Sequence, residues 1–370
     1  MSDKSKVHFP HLDGLRFICF ISIFFFHSFA TDYKYISTSK EYLFIKYGIF
    51  GNANLGVNFF FVLSGFLITG LLIQEKQHTG TINIKNFYIR RILRIWPLFY
   101  FCVLFGFVLF PFIKKMLGTE PHEVAHLWAY LFFVNNFDFI NNFPDCSVLG
   151  ILWSIAVEEQ FYLLWPLAFL LTPEKKLKYT FFIIIILSFV FRVLFQKPGY
   201  LDYHTLAVIS DMAVGGLAAY YCFKKTLLLS FFSSLSAWVI AFLYILVIFL
   251  YFFKQYIFVG PRLVPFERLV MSVLFVCVIL EQNYSNKSLF KMGNNKLFSK
   301  LGKYTYGMYC LHMIGILIVA TALRILKINT NIWQVILLEG GLSLLLTTGI
   351  AYISYNFYEK KFLAFKDKFN

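Results

Sequence analysis

The chain has 370 residues, of which 59% are hydrophobic and 14% are charged. A soluble protein of this length does not need so many apolar residues, and runs of about 17 to 25 mostly apolar residues recur from end to end. These runs predict an all-α, polytopic bundle of transmembrane helices in the lipid bilayer. The net charge of +15 does not require a nucleic-acid partner, because cytoplasmic loops of membrane proteins collect Lys and Arg.

Ten membrane crossings are predicted, with both termini in the cytoplasm. The chain is expected to form one membrane domain, residues 1–370, with a core of about 8–358. The crossings begin near Leu15, Ala53, Trp96, Leu152, Tyr179, Tyr203, Leu235, Val264, Tyr304 and Trp333. The apolar stretch from Leu127 to Phe137 is too short to cross and is predicted to be a re-entrant or interfacial helix. This topology places about twice as many Lys and Arg residues inside, Lys4, Lys6 and Lys225 among them, as outside.

The first apolar stretch contains two groups that a plain membrane anchor would not tolerate, Arg16 and His27. Eleven positions on a helix are three turns plus about 20°, so both side chains share a face and are separated by about 16.5 Å of rise. With Arg16 at the cytoplasmic surface, His27 lies deep in a hydrocarbon layer about 30 Å thick. A group that transfers protons is costly at that depth, so His27 is the candidate catalytic base.

The fourth crossing carries two adjacent carboxylates, Glu158 and Glu159. Glu158 has Ser154 and Tyr162 at i−4 and i+4, so its face is predicted to point into the bundle, where Tyr162 would line a channel. Helix rise places Glu158 about 9 Å and His27 about 12 Å below the outer boundary. We therefore expect Glu158 to orient or charge-stabilise His27. The alternative is a buried hydrogen-bonded pair that only locks the two helices.

Two further crossings contain polar positions. Asn58 and Ser64 in the second crossing are predicted to line the channel, but together with Gly65 they fit close helix packing equally well. His312 lies about 12 Å into the ninth crossing and is a candidate catalytic or acyl-path residue. A lone buried histidine is often a hydrogen-bonded core group, so that alternative stays open.

Three arginines, Arg90, Arg91 and Arg94, precede the third crossing on its cytoplasmic side. Arg91 and Arg94 are i, i+3 neighbours on one helical face, a spacing that can grip a phosphate group. Positive-inside anchoring is the simpler alternative. Arginine stands here where lysine serves elsewhere in the chain, which favours recognition of an anion.

The external loop contains a pattern typical of zinc peptidases, His122-Glu123-Val-Ala-His126. Such a site places two imidazoles at i and i+4 of a helix and needs a third ligand, for which the sequence offers no convincing candidate. The pattern begins directly after Pro121, where a short external helix is predicted and Glu123 would suit the helix N-terminus. We therefore expect neither a metal site nor a bound cofactor.

Five ordered motifs resemble the membrane-bound acyltransferase family 3, whose members are integral-membrane O-acyltransferases of bacterial surface polysaccharides and other extracytoplasmic acceptors. The motifs are His11–Arg16 followed by His27, Gly56–Ile68, Arg90–Pro97, Trp153–Pro166 and Tyr309–His312. The resemblance implies functional roles for Arg16, His27, Arg91 and Arg94. Many members carry an additional SGNH hydrolase domain. We expect none in this chain, which stops soon after its last span, so an acyl relay of that kind would need a separate envelope partner.

The residues and the resemblance together suggest an enzyme of the cytoplasmic membrane that uses acyl-CoA as co-substrate, with acetyl as the expected group. The donor phosphates would bind the arginines that the resemblance marks. His27 would take the proton from a hydroxyl of a surface glycan or lipid-linked sugar, with Glu158 steadying the imidazolium. His312 or Ser64 would line the acyl path, and a covalent acyl-histidine intermediate is an open variant.

Three alternatives come from other functional classes. In a proton-coupled transporter the buried histidine and carboxylate would form a proton relay. An intramembrane zinc peptidase would use His122, Glu123 and His126. A structural scaffold would have neither activity. The acyltransferase is the hypothesis that accounts for the arginines, the histidine and the carboxylate together.

Overall fold

A computed structural model of the chain describes residues 9–224 and 226–369. Within these ranges the regular structure is helical and contains no β-strand. Lys4, Lys6 and Lys225, which the predicted charge bias includes, lie outside the described residues, as does residue 8, where the predicted core begins. Below, the inner side is the side predicted to face the cytoplasm.

Ten long helices form the frame of the molecule. They are α1 (Pro10–His27), α2 (Asn54–Thr79), α3 (Ile84–Leu104), α4 (Trp153–Leu171), α5 (Leu177–Leu194), α6 (Ser210–Lys224), α7 (Ala237–Ile257), α8 (Gly260–Tyr284), α9 (Thr305–Ile325) and α10 (Gly340–Ile353). Shorter helical segments are Lys34–Ser37, Lys40–Leu43, Phe44–Ile49, Phe105–Leu109, Phe110–Met116, Leu127–Leu131, Asn135–Asn141, Ser147–Gly150, Glu174–Lys176, Tyr200–Tyr203, Thr205–Val208, Thr226–Ser234, Met292–Asn294, Lys296–Gly302, Gln334–Glu339, Ser354–Glu359, Lys360–Lys366 and Asp367–Phe369.

The predicted polytopic helical bundle is confirmed. Over the described ranges, nine helices are long and apolar enough to cross a membrane, and they correspond to the predicted crossings from the second to the tenth. Helix α1, the first predicted crossing, has 18 residues but is not among the nine, because Asp13, Arg16 and its two histidines lower its mean hydropathy. It packs inside the bundle against α2, α8 and α9.

The stretch predicted as one short re-entrant helix consists of two shorter ones, Leu127–Leu131 and Asn135–Asn141. Phe133 lies between them with φ +54°, a backbone conformation that interrupts the helix. Its carbonyl oxygen accepts a hydrogen bond of 2.7 Å from the side chain of Gln160 on α4. The segment is therefore anchored to the bundle without crossing the membrane.

Helix α2 lies at the centre of the bundle because two glycines let it approach α6 closely. A Cβ atom on Gly65 would lie 1.9 Å from the carbonyl oxygen of Met212, and one on Gly215 would lie 1.9 Å from that of Val62. In the span that contains α2, 83% of the most apolar stretch is buried inside the protein. The corresponding share is 22% for α5 and for α7, whose apolar side chains face outward as expected in lipid. The central position of α2 makes it one wall of the site described next.

Candidate active site

A cavity of about 520 Å³ lies between α1, α2, α3, α4, α9 and the last span. It follows α2 from Gln74 near the inner end to Val57, which corresponds to about 25 Å of helix rise. The cavity, lined by polar and apolar side chains, therefore extends over a length close to that of a hydrocarbon layer about 30 Å thick. Its volume falls within the usual range for small-molecule sites.

The inner part of the cavity is lined by cationic side chains. Arg16, Arg91 and Arg94 line it together with Lys303, and Arg16 forms an ion pair with Asp13. The Arg91 guanidinium lies 5.5 Å from the ring centroid of Tyr162, and its Nε is buried with no hydrogen-bond partner among the described residues. This end of the cavity thus brings together the three arginines that the sequence singled out.

Arg90 plays a different part from its two neighbours in the same motif. Its guanidinium donates to Glu75 at 3.0 Å and to the carbonyl oxygen of Phe369 at 2.7 Å. It therefore ties the inner ends of two spans together. Arg94 is an i, i+4 neighbour of Arg90 and an i, i+3 neighbour of Arg91, so the spacing alone does not separate the cavity-lining arginines from the structural one. The contacts of Arg90 with Glu75 and Phe369 make that division.

The middle of the cavity contains Glu158, Ser64 and Tyr162. The Ser64 and Tyr162 hydroxyls are hydrogen-bonded to each other. The Glu158 carboxylate lies close to Ser64 and to the guanidiniums of Arg94 and Arg91. The structure thus places Glu158 with the arginines of the inner end and not beside His27. Helix rise predicted its depth, but the direction of the side chain around the helix axis depends on packing.

His27 is paired instead with His312. The two ring centroids are 5.3 Å apart with an interplanar angle of 47°. His312 is fully buried, and its Nδ1 lies 2.6 Å from the carbonyl oxygen of Tyr309. Since a carbonyl oxygen only accepts, Nδ1 carries the hydrogen, and Nε2 is an acceptor without a partner among the described residues. The structure therefore brings together two of the three predicted catalytic side chains.

Tyr309 separates the histidine pair from the cavity. Its side chain lines the cavity and its ring lies 5.8 Å from that of His312. Its hydroxyl lies 2.6 Å from the Ser154 Oγ and donates at 3.1 Å to the carbonyl oxygen of Ile151. His27 and His312 do not line the cavity, which ends about one helical turn short of His312.

Asn58, predicted to line the channel, lies elsewhere. Its amide nitrogen donates to the Ser272 Oγ at 3.0 Å, and Ser272 donates to Asp211 at 2.9 Å. Arg268 completes this buried network through a 2.7 Å contact of its Nε with Asp211. Asn58 is about 100° around α2 from Val57, so it faces α6 and α8 rather than the cavity.

The geometry that a zinc peptidase needs is not formed by the external motif. Residues 121–126 are not helical, in contrast to the predicted short helix, and the next helix starts at Leu127. Glu123 accepts hydrogen bonds from the backbone N–H groups of Ala125 and Cys146 at 2.9 Å and 3.3 Å, while His126 Nδ1 lies 2.8 Å from Asp138. Without a helix, His122 and His126 do not share a face.

Asp145 organises the same outer segment. Its carboxylate accepts from Lys114 Nζ at 2.8 Å and from the His122 backbone N–H at 3.1 Å. Burial by itself would raise the pKa of this carboxyl, but these hydrogen bonds and the charge of Lys114 hold the pKa below its ordinary value. The carboxylates of Glu123 and Asp145 thus hold the outer loop in place through hydrogen bonds to its own backbone.

Sequence reasoning missed three residues of the site: Tyr309, Glu359 and Lys303, which all line the cavity. A signal existed for Tyr309, because it lies three residues before His312 and therefore on nearly the same face of α9. No such signal existed for Glu359, since it is the last residue of the π-helical segment Ser354–Glu359. The extra residue in each π-helical turn changes which side chains face inward.

Comparison with known proteins identifies the family of the chain. A family model described as "Acyltransferase domain" matches residues 9–355. The peptidoglycan O-acetyltransferase OatA of Listeria monocytogenes is 28% identical over 398 residues, covering 98% of this chain. The putative peptidoglycan O-acetyltransferase YrhL of Bacillus subtilis is 24% identical over 97% of this chain. The putative O-acetyltransferase SACOL0978 of Staphylococcus aureus is 33% identical over 48% of it and 28% of its own length.

The chain spans only part of these curated relatives. It covers 58% of the length of the Listeria protein and 56% of that of the Bacillus protein. No solved structure matches the chain significantly.

Proposed function

Because this chain belongs to the acyltransferase-3 family, we propose that it moves an acetyl group from acetyl-CoA on the inner side to a hydroxyl of a glycan on the outer side. One observation carries the proposal: a single cavity leads from three arginines to the tyrosine that lies against the histidine pair. The chain would act in the cytoplasmic membrane, where acetyl-CoA and an external glycan are on opposite sides.

The donor end suits the phosphates of CoA. Arg16, Arg91 and Arg94 supply three permanently charged donors, and guanidinium groups bind phosphate oxygens in bidentate geometry. The pantetheine arm would extend along α2 past Ser64, so that the thioester reaches Tyr309. Glu158, which lies among the arginines, would set their orientation rather than that of His27.

His27 would be the general base. It takes the proton of the acceptor hydroxyl, the oxygen attacks the thioester carbonyl carbon, and the tetrahedral intermediate expels the CoA thiolate, which takes the proton from the imidazolium. The products are an ester and CoA. His312 Nε2 would accept a hydrogen bond from the ring N–H of His27 and select its tautomer. Tyr309 would have to move aside for the thioester to enter this layer.

The proposed acceptor class rests on the relatives. OatA and YrhL bear names that identify them as a peptidoglycan O-acetyltransferase and a putative one. A hydroxyl of the peptidoglycan glycan strand is therefore the first acceptor to examine, with other surface glycans and lipid-linked sugars next. The transporter alternative predicts no acceptor-dependent release of CoA.

The decisive experiment measures CoA released from acetyl-CoA by the purified full chain, with and without peptidoglycan fragments. We expect acceptor-dependent release together with acetylated glycan by mass spectrometry. His27→Ala should lower the rate by about 10²- to 10⁴-fold, the usual contribution of a general base, whereas the exposed His78→Ala should leave it unchanged. Near-normal transfer by His27→Ala would rule out the base assignment, and no acceptor-dependent release by the wild type would rule out the function.

A further inference from the structure

The backbone directly after His27 adopts an unusual conformation. Helix α1 ends at His27, and Phe29 has φ +65°, a region that residues other than glycine rarely occupy and that costs free energy. Phe29 is only 2% exposed, so surrounding groups must hold it there. We call residues 28–30 the His27 turn, because the direction of the imidazole depends on where this turn ends α1.

Two side chains from the segment 40–49 hold the carbonyl groups of the His27 turn. Lys46 Nζ donates to the Ser28 carbonyl oxygen at 3.2 Å, and the Tyr42 hydroxyl donates to that of Phe29 at 2.7 Å. The Lys46 ammonium also lies 5.6 Å from the Tyr42 ring centroid. The last carbonyls of a helix have no partner within it and carry partial negative charge, so a cation and a hydroxyl stabilise this end.

The last span supplies the third contact. Glu339 is 1% exposed, and among the described residues neither of its carboxylate oxygens accepts a hydrogen bond of good geometry. Its carboxylate lies near the Asn329 side chain and the backbone N–H of Ala30, and its charge interacts with Arg324 and, more weakly, with Lys46. The next residue, Gly340, admits the Phe29 ring, since a Cβ there would lie 2.9 Å from the Phe29 Cε1.

We propose that Lys46 and Glu339 are positioning residues for His27. This inference depends on the proposed function, in which His27 is the base. Lys46 holds the Ser28 carbonyl of the His27 turn, and Glu339 lies near the Ala30 N–H at the other end of the turn, next to Gly340, which packs against Phe29. Together they keep the imidazole of His27 against His312, at the observed 5.3 Å. Neither residue touches the cavity or the donor arginines.

The first test separates catalysis from donor binding. In Lys46→Met, kcat should fall by roughly a hundredfold, because a shift of about 1 Å in a catalytic group has that effect, while KM for acetyl-CoA stays unchanged. Lys46→Arg keeps the charge and the donor and should recover most of the rate. Lys40→Met removes an exposed lysine of the same segment and should have no effect. An unchanged kcat in Lys46→Met would overturn the proposal.

A double-mutant cycle tests the pairing with Glu339. Glu339→Gln alone should lower kcat, and Lys46→Met with Glu339→Gln together should be no worse than Lys46→Met alone, because both changes release the same turn. Fully additive losses would show that the two residues act independently and would overturn their joint role.

A readout that does not require turnover is the rate at which diethyl pyrocarbonate modifies His27, followed by peptide mass spectrometry with the exposed His78 as internal reference. Lys46→Met should change the His27 rate and leave that of His78 unchanged. Should the wild type fail to transfer acyl groups, the proposed function fails, while this measurement still decides the positioning role. If Lys46→Met does not insert into the membrane, Tyr42→Phe, which removes one hydroxyl, takes its place. A lower kcat and a changed His27 modification rate in that variant would support the proposal, and no change in either would overturn it.

Discussion

The two ends of the site differ in their surroundings. At the inner end the Arg16 side chain is 23% exposed and shares the cavity with two further arginines. At the outer end His312 is fully buried, and its ring is 5.9 Å from that of Phe20 and 6.4 Å from that of Phe24. A more exposed, cationic end is suited to hold a charged ligand, whereas a buried, aromatic end strengthens hydrogen bonds and excludes water. Substitutions at the inner end should therefore change KM, and those at the outer end kcat.

After the variants of His27 and Lys46, the largest effect is expected at the inner end. Arg91→Gln combined with Arg94→Gln should raise KM for acetyl-CoA by about a hundredfold or more, since each charge-assisted hydrogen bond contributes about 1.5–3 kcal/mol, with little change in kcat. Arg90→Gln is the matched control, because its guanidinium binds Glu75 rather than lining the cavity. Steady-state kinetics of CoA release measures both constants. A loss confined to kcat would contradict the division between the two ends.

A smaller effect is expected from His312, and two variants divide its roles. In His312→Asn the amide nitrogen can replace Nδ1–H and still donate to the Tyr309 carbonyl oxygen, but the acceptor at the Nε2 position is lost. Removing one hydrogen bond of this kind should lower kcat by about tenfold. His312→Gln places an oxygen near the Nε2 position and should lose less. Equal losses in both variants, or a rise in KM for acetyl-CoA, would assign His312 to packing rather than to the tautomer of His27.

The smallest effect is expected outside both ends, in the outer loop. Asp145→Asn should lower stability by no more than about 1 kcal/mol, since its pair with Lys114 is partly exposed to solvent. The pKa of Asp145 is held below its ordinary value, so this stabilisation is fully present above the unfolded-state pKa, near 4, and is lost as the pH falls through the folded-state pKa. Limited proteolysis of residues 117–126 should thus distinguish the variant from the wild type at pH 7 but not in strong acid. A difference that persists unchanged in strong acid would exclude the carboxylate as its source.

The elements that depend on local chemistry were predictable. Nine crossings follow from apolar runs. The division of Arg90 from Arg91 and Arg94 does not follow from the helical period, because Arg90 and Arg94 are i, i+4 neighbours on one face. The pairing of Glu158 with His27 was wrong in its geometry, because depth along two helices does not specify how each is rotated. Asn58 was assigned to the channel for the same reason. The motif at His122 predicted a helix, but hydrogen bonds to the carboxylates of Glu123 and Asp145 hold the backbone there in a non-helical conformation.

By itself, the sequence determined that the chain is a helical membrane bundle, since the cost of placing polar groups in hydrocarbon acts on every residue independently of its neighbours. Only the tertiary structure decided which polar side chains contact each other. The His27 ring packs beside that of His312, and Lys46 donates to the Ser28 carbonyl oxygen, because segments distant in sequence pack through glycine contacts and π-helical turns. A one-residue change in such a turn rotates a helix face by about 100°. That rotation determines which polar side chains face each other, and it depends on the packing of all the neighbouring helices at once.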